Sequence, residues 1–179
     1  MTTTYIFLTT GFEEVEALAA VDVLRRAGVN VKTVSVENDK QVTASHRVKV
    51  EADLLFDEAD FSDAALLVLP GGTTRLNEFA KLKKLLLTAN EAGIKIAAIC
   101  AAPMVLGGLG LLKGKRATCY PSFEKYLTGA ILATDHPVVV DGNIITGKGP
   151  AQAIAFALTL VELIAGHAKR NEIAAGLLF

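Results

Sequence analysis

The stretch TYIFLTTGFEEVEALAAVDVLRRAGVNVKTVSV, Thr4–Val36, decides the fold class. Its first seven residues form a short apolar run rich in strand formers, which Gly11 interrupts. The segment EEVEALAAVDVLRRAG then predicts a helix, because acidic residues open it and basic residues and Gly28 close it. Val29–Val36 alternates apolar and polar residues and predicts a second strand. Strand, helix and strand in this order predict a parallel pair joined by a right-handed crossover.

The rest of the chain continues to alternate strands and helices. Two buried strands are predicted, in AALLVLPGG (Ala64–Gly72) and in IKIAAIC, which ends at Cys100. Helices are predicted over Asn77–Ala92, Ala101–Leu111, Pro150–His167 and the final NEIAAGLLF. Gln41–Ala52 predicts an added hairpin or edge element, and HPVVVDGNIITG a hairpin turning at Asp-Gly. The pattern predicts one doubly wound α/β domain over residues 1–179, with a mostly parallel sheet and helices on both faces.

Composition narrows the class of protein. The 179 residues are 51% hydrophobic and 21% charged with a mean hydropathy of +0.41, which predicts a folded core and not a disordered chain. The net charge of −1 and the absence of a basic cluster argue against a nucleic-acid partner. Two cysteines fit a reducing compartment, and MTTTYIFLTT lacks the basic and apolar regions of a signal peptide. We therefore expect a cytoplasmic protein without a membrane partner.

Three features converge on the same edge of the predicted sheet. They are the turn after the first strand (Thr10–Glu16), the Pro-Gly-Gly loop (Pro70–Gly72) and Cys100. Each follows a predicted parallel strand, and α/β sheets bind ligands beyond the carboxyl ends of such strands. This convergence predicts a functional site there.

Cys100 lies where a strand pattern changes to a helix pattern. At such a turn its sulfur would lie near free N–H groups, and the helix dipole would favour the thiolate. The small residues Ala101 and Ala102 permit a tight elbow like that of a hydrolase nucleophile. The alternative is a buried structural cysteine at the end of a core strand.

Glu16 begins the apolar face of the first predicted helix. Its neighbours at helical spacing are Ala19, Ala20 and Val23, so burial should raise the pKa of its carboxyl and suit it to acid–base chemistry. The alternative is an ordinary first-turn glutamate that stabilises the helix dipole. Across the predicted site, the N–H groups of Gly71 and Gly72 could form an oxyanion hole with that of Ala101.

The sequence gives no sign of a metal or cofactor. His46, His136 and His167 lack metal-ligand spacing, and surface or capping roles are expected for them. Cys119, in ATCYP, has no CxxC partner and is expected to be structural. The chain has no Walker loop and no GxGxxG motif.

Taken in order, four motifs resemble those of the ThiJ/PfpI superfamily. They are EEVE (13–16), LPGG (69–72), AAIC-x-x-P (97–103) and GKGP (147–150). The resemblance covers about Tyr5 to Leu177 and is strongest to the branch of the parkinsonism-associated redox protein and its bacterial relatives. It implies a flavodoxin-like three-layer sandwich, a homodimer and a cofactor-independent site. In that site Cys100 would be the nucleophile at a strained elbow, Glu16 its partner, and Gly71, Gly72 and Ala101 the oxyanion donors.

Two departures from the family narrow the chemistry that the resemblance implies. Triad-forming relatives carry a histidine directly after the cysteine, where this chain has Ala101, so a Cys-His peptidase is disfavoured. Some members of the branch carry a histidine before a proline about twenty residues later, where this chain has Tyr120, which could line the pocket. A third difference is His46, which occupies a position near a hairpin arginine of some relatives, so an anion contact is not expected there.

Three hypotheses for function follow from the resemblance. The first is an enzyme of the glyoxalase or deglycase type, which would use Cys100 and Glu16 on a small reactive dicarbonyl or a glycated protein. The second is a redox-sensing chaperone that responds through oxidation of Cys100. The third is a relative of the proteins labelled as intracellular peptidases or thiazole-biosynthesis proteins.

Overall fold

The computed structural model describes residues 2–179 and contains eleven strands and five α-helices within that range. The strands are β1 (Thr3–Leu8), β2 (Asn30–Ser35), β3 (Gln41–Thr43), β4 (Lys49–Glu51), β5 (Leu54–Leu55), β6 (Ala64–Leu69), β7 (Lys95–Ile99), β8 (Arg116–Ala117), β9 (Ile131–Leu132), β10 (Val138–Asp141) and β11 (Ile144–Gly147). The helices are α1 (Glu14–Arg26), α2 (Ala80–Glu91), α3 (Pro103–Gly108), α4 (Ala153–Ala165) and α5 (His167–Gly176).

A seven-stranded sheet with the order β10-β11-β7-β6-β1-β2-β5 forms the middle layer. Every neighbouring pair in it is parallel except β10 and β11, which form the hairpin predicted at Asp-Gly. Side chains along β1 alternate between the two faces, so that Ile6 and Leu8 join one core and Tyr5 and Phe7 the other. Helices α1, α4 and α5 cover the first core, and α2 and α3 cover the second. The predicted three-layer, mostly parallel α/β sandwich is confirmed.

The added hairpin is also present. Strands β3 and β4 pair antiparallel as a separate small sheet. Backbone hydrogen bonds from Gly11 N to Thr43 O (2.8 Å) and from Ser45 N to Phe12 O (2.8 Å) fasten it to the turn after β1. This hairpin therefore supports the segment that leads into α1.

Two predicted helices start later than the sequence pattern indicates. Helix α2 begins at Ala80 because residues 75–78 form a separate 3₁₀ turn and Phe79 is extended. Helix α3 begins at Pro103, since the left-handed backbone of Cys100 delays the first regular helical turn. Proline suits this first position because its missing N–H has no helical partner to lose.

The C-terminal helices divide at a different place from the one predicted. Pro150–Gln152 is a 3₁₀ turn, and α4 follows it and ends at Ala165. Gly166 adopts φ +90°, a conformation that no helix interior accepts, so His167 starts α5 and does not end the preceding helix. None of the helices within residues 2–179 has the length and apolar character needed to span a lipid bilayer.

Candidate active site

Cys100 follows β7 directly and has a left-handed backbone with φ +65°. For a residue with a Cβ atom this conformation costs about 1–2 kcal/mol, so the surrounding structure has to hold it. Two backbone hydrogen bonds do so: Cys100 N donates to Gly147 O (2.9 Å), and Tyr120 N donates to Cys100 O (2.9 Å). Cys100 as a whole residue is 8% exposed. A strained, clamped elbow with limited solvent access is the geometry of a presented nucleophile.

Glu16 lies on the first turn of α1 with only 1% of its surface exposed. Its Oε2 atom accepts a hydrogen bond from the N–H of Gly71 (2.7 Å). Its Oε1 atom is buried and has no hydrogen-bond partner among residues 2–179. A carboxyl in this position interacts with the Cys100 thiol, as expected for two residues that meet at the carboxyl edge of the sheet.

The Glu16 carboxyl has an unusual affinity for its proton. Burial, helped by the nearby charge of Glu13, raises its pKa from 4.5 to about 7. The hydrogen bonds with Gly71 and Cys100 act in the opposite direction but are outweighed. Near neutral pH the side chain therefore exists in both protonation states, which suits a general acid and base.

The Cys100 thiol does not have the lowered pKa that the sequence suggested. Burial, followed by the charge and hydrogen bonding of Glu16, raises its pKa to about 12. The N–H groups of Gly72 and Ala101 lower it, so the expected effect of the helix start is present but is the smaller one. Three effects raise the pKa of Cys100, and two of them come from ionised Glu16. These two disappear when Glu16 takes a proton. Thiol and carboxyl thus titrate as a pair, in which a proton on Glu16 favours the thiolate.

The three predicted oxyanion donors have different positions. The N–H groups of Gly72 and Ala101 each lower the pKa of the Cys100 thiol. The N–H of Gly71 is instead used by Glu16, which corrects its predicted place in the oxyanion hole. Gly71 is still required by packing, because a Cβ atom there would lie 2.6 Å from Cys100 Cβ and 2.9 Å from Glu16 Oε2.

The backbone N–H of Tyr120 donates to Cys100 O, as described above. Its side chain is 45% exposed, and the ring lies beside Gly149. Tyr120 also lines a concavity of about 280 Å³ together with Lys148 and Pro150. Tyr120 thus lies beside Cys100 through its backbone, a contact that the sequence did not predict.

Sequence reasoning missed two features around the site. One is the carbonyl of Gly147, which holds the Cys100 N–H; its only signal was its place in the GKGP motif. The other is the set of contacts between α1 and the hairpin, in which Ser45 Oγ contacts Glu14 Oε2 (2.8 Å) and Glu13 Oε2 (3.1 Å). His46 Nδ1 lies 3.2 Å from Glu14 Oε1.

These contacts revise the expected roles of Glu14 and of His46. Glu14 does not serve the helix dipole alone, since it also accepts the N–H of His46 (3.1 Å) and anchors the hairpin. Glu13, Glu14 and His46 are the one group of potential metal ligands among residues 2–179, with ligand atoms within 4.8 Å of one another. His136 and His167 contact Asp135 and Glu162, so no histidine in the described range is hydrogen-bonded to Cys100.

The fold and the Cys–Glu pair define an α/β protein with a cysteine at a strand-to-helix elbow. Residues 2–163 match the model of the DJ-1/PfpI family, and the chain belongs to that family. The resemblance inferred from the four motifs is thereby confirmed.

Several curated relatives carry functional names. The chain is 33% identical over 165 residues to deglycase PH1704 of Pyrococcus horikoshii, covering 89% of this chain and 98% of the relative. It is 32% identical over 164 residues to the glutathione-independent glyoxalase DJR-1.2 of Caenorhabditis elegans, with 90% and 87% covered. Protein DJ-1 homolog B of Arabidopsis thaliana is 44% identical over 163 residues, which are 89% of this chain but only 37% of that protein. The chain thus spans well under half the length of this plant relative.

Among solved structures, oxidized DJ-1 of Toxoplasma gondii superposes with a TM-score of 0.95 at 36% identity. The match covers 100% of this chain and 99% of the other. Drosophila melanogaster DJ-1beta gives 0.93 at 37% identity, with 99% and 97% covered.

Proposed function

We propose that the protein is a cofactor-independent enzyme that uses Cys100 and Glu16 on 2-oxoaldehydes or on their adducts with protein side chains. The observation that carries this proposal is the pairing of a buried carboxyl, with a pKa of about 7, with a thiol held at a strained elbow. The names of the glyoxalase and deglycase relatives support the substrate class.

The first step is addition of the thiol to the aldehyde carbon. The sulfur forms a bond to C1, the C=O electron pair moves to oxygen, and the thiol proton passes to Glu16. The N–H groups of Gly72 and Ala101, which lower the pKa of the thiol, stabilise the developing oxyanion. Return of the proton from Glu16 to that oxygen gives a hemithioacetal and restores the carboxylate.

The second step is an internal redox exchange between C1 and C2. Ionised Glu16 removes the proton from C1, whose electron pair forms a C1–C2 double bond while the C2 carbonyl oxygen becomes an enediolate. Glu16 then delivers a proton to C2, and the O1 proton moves to O2. C1 is oxidised to a thioester and C2 is reduced, so no external oxidant is needed. Water hydrolyses the thioester to a 2-hydroxy acid and regenerates Cys100.

The test is turnover of methylglyoxal to lactate by purified protein, followed by chromatography of the product. We expect Cys100→Ala and Glu16→Gln to abolish turnover. Cys119→Ala provides the matched control, because it removes the other buried thiol and should leave the rate unchanged. Undiminished turnover by Cys100→Ala would refute the mechanism.

The unpartnered Oε1 of Glu16 favours a second candidate, a redox sensor. A protonated Oε1 can donate a hydrogen bond to an oxygen added to the Cys100 sulfur, and this would stabilise a sulfinate. Mass spectrometry after mild peroxide treatment should find two added oxygens at Cys100, and fewer in Glu16→Leu. Preferential oxidation of Cys119 would exclude this candidate.

A further inference from the structure

A second concavity lies between the ends of β2 and β5 and the start of α2. Its volume is about 390 Å³, and it shares no lining residue with the Cys100 site. This volume lies within the range of sites that hold small molecules, and the carboxyl ends of parallel strands are the usual position for them. We refer to it as the β2–β5 cavity.

One wall of the β2–β5 cavity is aromatic and firmly held. Phe56 packs against Phe61 and Phe7, with ring centroids 5.0 and 6.0 Å apart, so its position is fixed by the core. Phe79 contributes a second ring, and Leu82 lines the cavity from α2. These side chains suit a flat or extended apolar group.

The charged residues of the cavity leave an excess of negative charge. Asp57 and Lys81 neutralise each other, since Lys81 Nζ lies 2.7 Å from both carboxylate oxygens. The Glu78 side chain is exposed, and its carboxylate makes no hydrogen bond or ion pair within residues 2–179. Glu37 accepts hydrogen bonds only from neutral groups, namely Thr9 Oγ1 (2.8 Å) and the N–H (2.6 Å) and Oγ1 (3.0 Å) of Thr10.

Glu37 keeps its charge at neutral pH. Burial raises the pKa of Glu37, but the hydrogen bonds from Thr10 and Thr9 and the positive charge of Arg75 outweigh it and lower the pKa overall. The start of α2 contributes a positive potential equivalent to about half a charge. Arg75 adds one further positive charge near Glu37. The two negative charges of Glu37 and Glu78 still exceed these positive contributions, so the cavity favours a cation.

We propose that the β2–β5 cavity binds a small organic cation with a flat apolar body, such as an arylalkylammonium ion. The apolar group would lie against Phe56 and Phe79, and the ammonium group between the carboxylates of Glu37 and Glu78. Phenyl faces next to an ammonium group add a favourable electrostatic contact. The site is independent of the chemistry at Cys100.

The test is an NMR titration of ¹⁵N-labelled protein with three probes of similar shape. These are 2-phenylethylammonium, the neutral 2-phenylethanol and the anionic 3-phenylpropionate. We expect saturable shifts at residues 36–38, 55–57 and 78–82 with the cation, and weaker binding of the alcohol and the anion. Equal binding of all three probes, shifts confined to other residues, or no saturable binding would overturn the proposal.

Two variants separate the charge from the cavity itself. Glu78→Gln should weaken binding of the cation about two- to fivefold, as for one partly exposed charge contact, and should leave the alcohol unaffected. Ala80→Leu fills the cavity with an apolar side chain at an exposed helix position and should abolish binding of every probe. Glu91→Gln, at the far end of α2, is the matched control. Unchanged affinity of the cation in Glu78→Gln, or in Ala80→Leu with its circular dichroism intact, would contradict the assignment.

Discussion

Replacing Glu16 with glutamine should remove one contribution to the pH dependence of folding stability. Folding raises the pKa of Glu16 from 4.5 to about 7, so the folded state binds this proton more tightly than the unfolded chain does. The stability gained from the proton is complete below pH 4.5 and is lost as the pH rises through about 7. The difference in pKa corresponds to a loss of about 3 kcal/mol. Glutamine keeps an oxygen for the Gly71 N–H and has no proton to lose.

The assay is urea unfolding of both proteins at pH 4.5, 6, 7 and 8. We expect the free energy of unfolding of Glu16→Gln, relative to wild type, to rise by about 3 kcal/mol across this range. The Cys100 thiol, which is coupled to Glu16, keeps a pKa above 9 in both proteins and stays protonated up to pH 8. The remaining titrating groups are common to the two proteins, so these contributions cancel in the difference.

Glu14→Gln provides a control with the opposite sign. Burial raises the pKa of Glu14, but its hydrogen bonds and the nearby His46 outweigh burial and lower it overall. Ionised Glu14 therefore stabilises the fold above its unfolded pKa, and this stabilisation is lost as the pH falls. The destabilisation by Glu14→Gln should consequently be greater at pH 8 than at low pH. A Glu16→Gln curve that runs parallel to wild type, or that follows Glu14→Gln, would refute the reasoning.

Three further predictions concern the site and the assembly. Glu16→Gln should lower the pKa of Cys100 below about 12 yet leave it above 9, because Cys100 remains buried. The pH profile of iodoacetamide alkylation measures this pKa, and an unchanged profile would count against the Cys–Glu pairing. Gly71→Ala should destabilise the protein by about 1–3 kcal/mol and abolish turnover, whereas Gly176→Ala, which meets nothing within 4 Å, should do neither. The homodimer implied by the family resemblance would bury Val15, which is 52% exposed on α1, so Val15→Asp should shift the mass measured by light scattering from dimer to monomer.

The pattern of strands and helices was readable because each element carries its own periodicity. Burial on both faces made β6 and β7 continuous apolar runs, and the helix between β1 and β2 showed both of its end signals. The predicted starts of helices were wrong where a single backbone conformation set the first residue of the helix. The left-handed angles of Cys100 and Gly166 move the starts of α3 and α5, and neither angle is visible as a change in hydrophobic pattern.

The sequence by itself determined the α/β class, the family, and the approach of Cys100 and Glu16 at one sheet edge, because parallel strands bring their carboxyl ends together. Only the tertiary structure decided which N–H each group receives. The Gly71 N–H binds Glu16, and the N–H groups of Gly72 and Ala101 lower the thiol pKa. Burial outweighs them and raises the thiol pKa, where the sequence predicted a lower one. Burial and hydrogen-bond geometry depend on contacts between residues that are distant in the chain, such as Glu16 and Gly71. The local sequence pattern does not reveal these contacts.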